Sequence, residues 1–156
     1  MDYTPEQLER RNRSLWTTVQ GVGALVQFLT FVASLVLVTR FVITGQDYAL
    51  TTVVCVAKVL MLYFMTVTGM AWEDEVFGRF FLAPQMFWED VGNVISLTGN
   101  TAYLVTLLTG AEPSTQMAAM GVALATYVLN FFQFAIRGAR AARQRRRMTP
   151  AVAAEA

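Results

Sequence analysis

Residues 16–38, WTTVQGVGALVQFLTFVASLVLV, hold no charged side chain. An uninterrupted stretch of this kind exceeds the roughly 20 apolar residues that cross a bilayer core and the 7–15 of a signal-peptide core. It reads as a retained transmembrane helix. Working outward, Ala49 to Ala71 is broken by one charge, Lys58. Val91 to Gly110 is uncharged but carries Asn93, Ser96, Thr98 and Asn100, and Gln116 to Ile136 carries Asn130 and Gln133. Of the chain's 156 residues, 55% are hydrophobic and only 15% charged, and its mean hydropathy is +0.45, outside the habit of soluble domains. The expectation is an all-α integral membrane protein, a single membrane domain over 1–147 with four transmembrane helices at about 16–40, 49–71, 91–110 and 116–136, and a disordered tail over 148–156.

Basic residues near span ends stay on the cytoplasmic side. Arg10, Arg11 and Arg13 precede the first span, and Arg137, Arg140, Arg143, Arg145, Arg146 and Arg147 follow the fourth. The linkers at 44–48 and 111–115 have no Lys or Arg. Both termini are therefore expected in the cytoplasm, with the protein multi-pass in the membrane. The RGARAARQRRR run abuts a span, so it reads as a topology determinant facing anionic lipid, not as a nucleic-acid site. Lone Cys55 allows no internal disulfide, and a chain without His lacks both the usual imidazole base and ordinary His/Cys zinc sites. Phosphate loops, nucleophile elbows and dinucleotide fingerprints are absent from the sequence.

The acids are concentrated. Between spans two and three, WEDEVFGRFFLAPQMFWED (72–90) contains Glu73, Asp74, Glu75, Glu89 and Asp90, nearly half of the chain's 11 acidic residues, among Trp72, Phe77, Phe80, Phe81, Phe87 and Trp88. This reads as an amphipathic aromatic and acidic loop on the cytoplasmic face. Each ring alone suits an interfacial anchor; acid beside every anchor does not follow from that role. At helical spacing, polar stripes run along the spans: Gln20, Gln27 and Ser34 on the first; Glu89, Asn93, Ser96, Asn100 and Tyr103 on the third, if it starts a turn early; Thr126, Asn130, Gln133 and Arg137 on the fourth. Such groups either glue helices together or line a polar cavity facing 72–90. Lys58, within a span, is a functional candidate by cost, or else snorkels outward toward Asp47 or Glu112. Gly21, Gly23, Gly92 and Gly99 permit close helix contact, within one chain or in a homo-oligomer.

Paired acids beside apolar rings suit proton donation by one carboxyl and proton acceptance by another, the chemistry of adding or removing water on a hydrophobic substrate. A small transporter is disfavoured, because its carboxylate would sit mid-membrane.

The segments YTPEQLERRNRSLWTTVQG (3–21), FMTVTGMAWEDEVFGRFFLAPQMFWEDV (64–91), NTAYLVTLLTG (100–110) and ATYVLNFFQF (125–134) resemble the 2-vinyl bacteriochlorophyllide hydratases. The resemblance runs from about Tyr3 to Arg143, and its most specific part is VTG-x-x-WE-x-x-VFG-x-x-x-x-AP-x-x-FWEDV. It implies addition of water across the C3 vinyl group of chlorophyllide a or 3-vinyl bacteriochlorophyllide a, with no separate cofactor, magnesium being carried by the chlorin. Other pigment-synthesis enzymes are its expected partners besides substrate and lipid. By motif match Glu73, Glu89 and Asp90 are the catalytic candidates; Trp72, Phe87, Trp88, Asn93, Asn100, Gln133 and Lys58 are the substrate-binding candidates. Resembling chains often have His at the position of Asn100 and Lys at that of Asp74. A non-catalytic chlorin-binding or assembly subunit on the same scaffold is the alternative that the missing His favours.

Overall fold

The structure, a computed structural model, describes residues 3–154, with the side chains of 141 and 144–154 left out. They form five helices: α1 (Pro5–Arg13), α2 (Leu15–Thr44), α3 (Tyr48–Phe77), α4 (Phe87–Leu108) and α5 (Pro113–Ala154). Four are long and apolar enough to cross a membrane: α2, α3, α4 and the Pro113–Arg140 part of α5. At 30 residues each, α2 and α3 rise about 45 Å, more than a hydrocarbon core needs.

Local chemistry sets the boundaries. Thr4 and Gln7 form a reciprocal capping box with Pro5 at the start of α1. Ser14 ends α1 and caps α2 by accepting from the Trp16 N–H. Gly45 and Gly78, both at φ 69°, end α2 and α3 in the left-handed region that glycine adopts freely. Because nothing in Trp72-Glu-Asp-Glu-Val-Phe77 breaks a helix, α3 runs on to Gly78. The loop expected over 72–90 is accordingly short, from Gly78 to Met86. Glu73, Asp74 and Glu75 ride on the last turns of α3, and Glu89 and Asp90 on the first turn of α4. Where the sequence suggested a tail from 148, the backbone continues α5 through Ala154; residues 155–156 lie outside the described residues.

Packing is polar inside and apolar outside, as a lipid solvent demands. Gln27, Ser34, Thr51, Lys58, Ser96, Asn100 and Asn130 are buried, whereas Leu15, Val42, Val53 and Leu129 face outward. The stripes expected on the spans are the interior faces. Helix α2 packs along α3 and α4 along α5, and these two hairpins meet each other over fewer positions. Ring contacts between α2 and α5, Phe28 on Phe131 at 5.4 Å and Phe31 on Tyr127 at 4.9 Å, join them. A second small core of Tyr3, Leu8, Trp72, Val76, Ala83 and Met86 lies under α1.

Glycine lets α4 meet α5. A Cβ at Gly99 would stand 3.3 Å from both Ala123 Cα and Thr126 Oγ1, and one at Gly92 would collide with the Gln133 and Asn130 amides. Gly23 faces Met65 of α3 in the same way, whereas Gly21 has open space beside it. Gly99→Val should thus destabilise the protein by about 1–3 kcal/mol through overpacking. Gly121→Ala, with nothing within 4 Å, should not. Thermal unfolding in detergent checks the pair: Tm should fall for the first and hold or rise for the second.

Candidate active site

Two carboxyl groups from different helices meet at the loop. Glu73 on α3 and Asp90 on α4 are buried, at 3% and 4% exposure, and their side chains are hydrogen-bond neighbours. Consecutive backbone amides hold them there. The Leu82 N–H donates to Asp90 Oδ2 at 3.0 Å, and the Ala83 N–H donates to Glu73 Oε2 at 3.2 Å. Leu82 has φ 55°, a conformation that costs a non-glycine residue about 1–2 kcal/mol. Such a left-handed residue turns successive N–H groups toward one side, making an anion-binding concavity. Here that concavity straddles two carboxyls.

Behind the pair a cavity of about 350 Å³ extends between the hairpins, within the size range of small-molecule sites. Most of its wall is apolar, including Leu62, Met65, Met70, Phe131 and Phe134. Glu73, Asp90, Trp72, Asn93, Gln20, Gln27 and Asn130 add polar atoms. The wall is fixed from outside. Trp72 Nε1 donates to Thr17 Oγ1 at 2.9 Å, Gln20 Nε2 to Thr68 Oγ1 at 2.8 Å, and Asn93 Nδ2 to Thr66 Oγ1 at 3.2 Å. Ser14 Oγ donates to Glu75 Oε2 at 2.6 Å, tying the α1–α2 junction to the end of α3.

The sequence-predicted residues separate into those in the cavity and those outside it. Glu73, Asp90, Trp72 and Asn93 come together in its wall. Glu89 points instead to Arg137, 3.4 Å away. Gln133 clasps α4 by donating to the Trp88 carbonyl at 3.0 Å, beside Asn130 on the Glu89 carbonyl at 3.2 Å. Trp88 and Phe87 are 71% and 44% exposed and pack edge to face at 5.3 Å. Trp88 lies two positions before Asp90, about 200° around the helix, so it faces away from the cavity as an interfacial anchor.

Lys58 does not snorkel. It is fully buried and donates from Nζ to Asn100 Oδ1 at 2.6 Å, with the ring of Tyr127 5.2 Å away. Asp47, its suggested partner, pairs with Arg40 at 2.8 Å. Tyr127 lines the cavity, so Lys58 and Asn100 sit behind a cavity wall and not among its lining residues.

Sequence reasoning put Arg137 on the polar stripe of the fourth span, as a cavity-lining or helix-bridging group, but gave it no role toward substrate, and it left Tyr3 and Arg11 unassigned. Tyr3 and Arg11 reach the cavity because α1 folds across its mouth; the Thr4-Pro5-Glu6-Gln7 capping signal marks that helix start. Both guanidinium groups lie over the Tyr3 ring, Arg11 at 5.7 Å and Arg137 at 5.3 Å from its centroid.

A family model described as 2-vinyl bacteriochlorophyllide hydratase matches residues 3–140. The chain belongs to this family. Two curated relatives named 2-vinyl bacteriochlorophyllide hydratase, from Rhodobacter capsulatus and Cereibacter sphaeroides, are each 46% identical over 132 residues; the match covers 85% of this chain and 77% and 82% of the relatives. No solved structure matches. As the quoted segments implied, this 2-vinyl bacteriochlorophyllide hydratase family member is a membrane-embedded hydratase of bacteriochlorophyll synthesis, acting on a tetrapyrrole. Both departures noted in the sequence fall away from the carboxyl pair: Asp74 is exposed, and Asn100 is the partner of Lys58.

That partnership yields a test of the buried cation. Asn100→Leu leaves an ammonium without its acceptor and should cost on the order of 3 kcal/mol, whereas Lys58→Met combined with Asn100→Leu should recover most of the loss. Unfolding in detergent, read as a double-mutant cycle, measures the coupling.

Proposed function

We propose that this hydratase adds water across the vinyl group of a magnesium chlorin, chlorophyllide a or 3-vinyl bacteriochlorophyllide a, with Glu73 and Asp90 as one acid–base unit. The observation that carries the proposal is the meeting of these carboxyls in the cavity wall, each held by its own backbone amide. Two like charges so close repel unless one proton lies between them. Such a pair has an acid and a base side by side.

In the reaction, the protonated carboxyl gives H⁺ to the terminal vinyl carbon, and the C=C electron pair forms the new C–H bond. Positive charge then develops on the inner carbon, where conjugation with the macrocycle spreads it. Water attacks that carbon and loses a proton to the carboxylate, forming the hydroxyethyl group and restoring the pair with one proton. Only water is consumed, and magnesium arrives with the chlorin. Asn93, in the same wall and already bonded to Thr66, is a group suited to orient the attacking water. Apolar walls formed by Met65, Leu62 and Phe131 suit the flat macrocycle. Glu89 has a different task, holding Arg137 in place.

Positive residues in the last turn of α1 and following the apolar part of the fourth span, from Arg137 onward, support a cytoplasmic location for both termini. The cavity mouth then faces the cytoplasmic side of the membrane.

Glu73→Gln and Asp90→Asn should each lower the hydration rate by about 10²- to 10⁴-fold, the usual contribution of a positioned proton donor or acceptor. Pigment binding should persist in both. Glu89→Gln should cost far less in turnover. Following the blue shift of the red absorption band as the vinyl group leaves conjugation, together with pigment retained on purified protein, separates these outcomes. Wild-type rates in both carboxyl variants would remove the pair from the mechanism.

A further inference from the structure

Arg137 carries a donor edge that the folded chain leaves unused. Its side chain is 13% exposed. Nη1 is occupied, by the Gln85 carbonyl and by Glu89 Oε1 at 3.4 Å. Nε and Nη2 are buried and have no hydrogen-bond partner. Unmet buried donors on a cation are costly, and Arg137 lines the cavity. The nearby acids do not fill the vacancy: Glu73 and Asp90 take the amides of Ala83 and Leu82, and Glu89 takes Nη1.

The geometry points to a carboxylate-binding subsite in which the Nε and Nη2 edge of Arg137 grips the free propionate of the chlorin substrate. This rests on the hydratase reading above and deepens it. Nε and Nη2 form a planar fork that matches the two oxygens of a carboxylate and does not match an ester. Tyr3 supports the guanidinium from its ring face, and Arg11 over the same ring adds a second positive charge at the mouth. The substrate carries both groups at a fixed separation: the vinyl-bearing and propionate-bearing rings of a chlorin are neighbours, with the two groups on the outer positions of those rings and ring methyls between them. Glu73, Asp90 and Arg137 all line the cavity. The propionate would set the orientation in which the vinyl group reaches Glu73 and Asp90.

The test compares the free-acid chlorin with its methyl ester, using wild type, Arg137→Gln and Arg137→Lys. Wild type should favour the acid in kcat/KM by roughly 10- to 100-fold, the size of a charge-assisted bond. In Arg137→Gln that preference should collapse toward one, mainly through a raised KM for the acid. Arg137→Lys keeps the charge but not the fork, and should fall between; it is the variant to read if the glutamine form does not accumulate. Equal use of acid and ester by wild type overturns the subsite. So does a preference that survives undiminished in either variant, the result expected if Arg137 holds a lipid phosphate or only braces α4. Wild type that hydrates neither compound contradicts the hydratase reading instead, which keeps the two failures apart.

Discussion

Two neighbouring amides, those of Leu82 and Ala83, hold two acids from different helices against each other, and much of the architecture follows from that constraint. For Glu73 and Asp90 to meet, α3 must continue past the expected end of its span and α4 must start early. The connecting loop must be short enough to turn back onto both. Gly78 supplies the stop, and left-handed Leu82 supplies the turn. Joining α3 to α4 at this end brings the α2–α3 hairpin against the α4–α5 hairpin without close packing along their whole length. The space between them is the cavity.

A membrane protein can set polar groups into the wall of such a largely apolar space because its interior, not its surface, collects the hydrogen-bonding groups. The layer behind Tyr127 illustrates the rule and its cost. Lys58 is an expensive residue in a span, and the fold meets that cost with the Asn100 carbonyl oxygen and the face of Tyr127. That bond also links α3 to α4, as do Tyr63 with Thr101 and Asn93 with Thr66. The site is therefore braced by hydrogen bonds at several depths between two helices that pack sparsely.

Much of this was legible in the sequence. Four spans, inward polar stripes and a concentration of acid between spans two and three follow from hydropathy, helical period and composition. What periodicity could not give was the partner of each group. Trp-Glu-Asp occurs twice, and nothing local distinguishes Glu73, which enters the cavity wall, from Glu89, which turns to Arg137; the difference lies in which neighbour each helix face meets. Trp88 and Trp72 divide for the same reason, one outward and one bonded to Thr17. Lys58 does not take the snorkelling course that was one of its two readings, toward Asp47 or Glu112: Asp47 is occupied by Arg40, and the Asn100 side chain accepts the Lys58 bond inside the bundle. The role of α1 as a cover depends on contacts between Tyr3, Leu8 and the end of α3, which no single-helix pattern encodes.

The central claim, that the chain hydrates a chlorin vinyl group by proton delivery followed by water attack, is tested most directly by isotopic labelling. Wild-type membranes would be incubated with chlorophyllide a in water enriched in deuterium and ¹⁸O, and the product examined by mass spectrometry and NMR. The account predicts one ¹⁸O on the inner carbon and one deuterium on the new methyl group. Pigment recovered unchanged, or oxygen found on the terminal carbon, would contradict it.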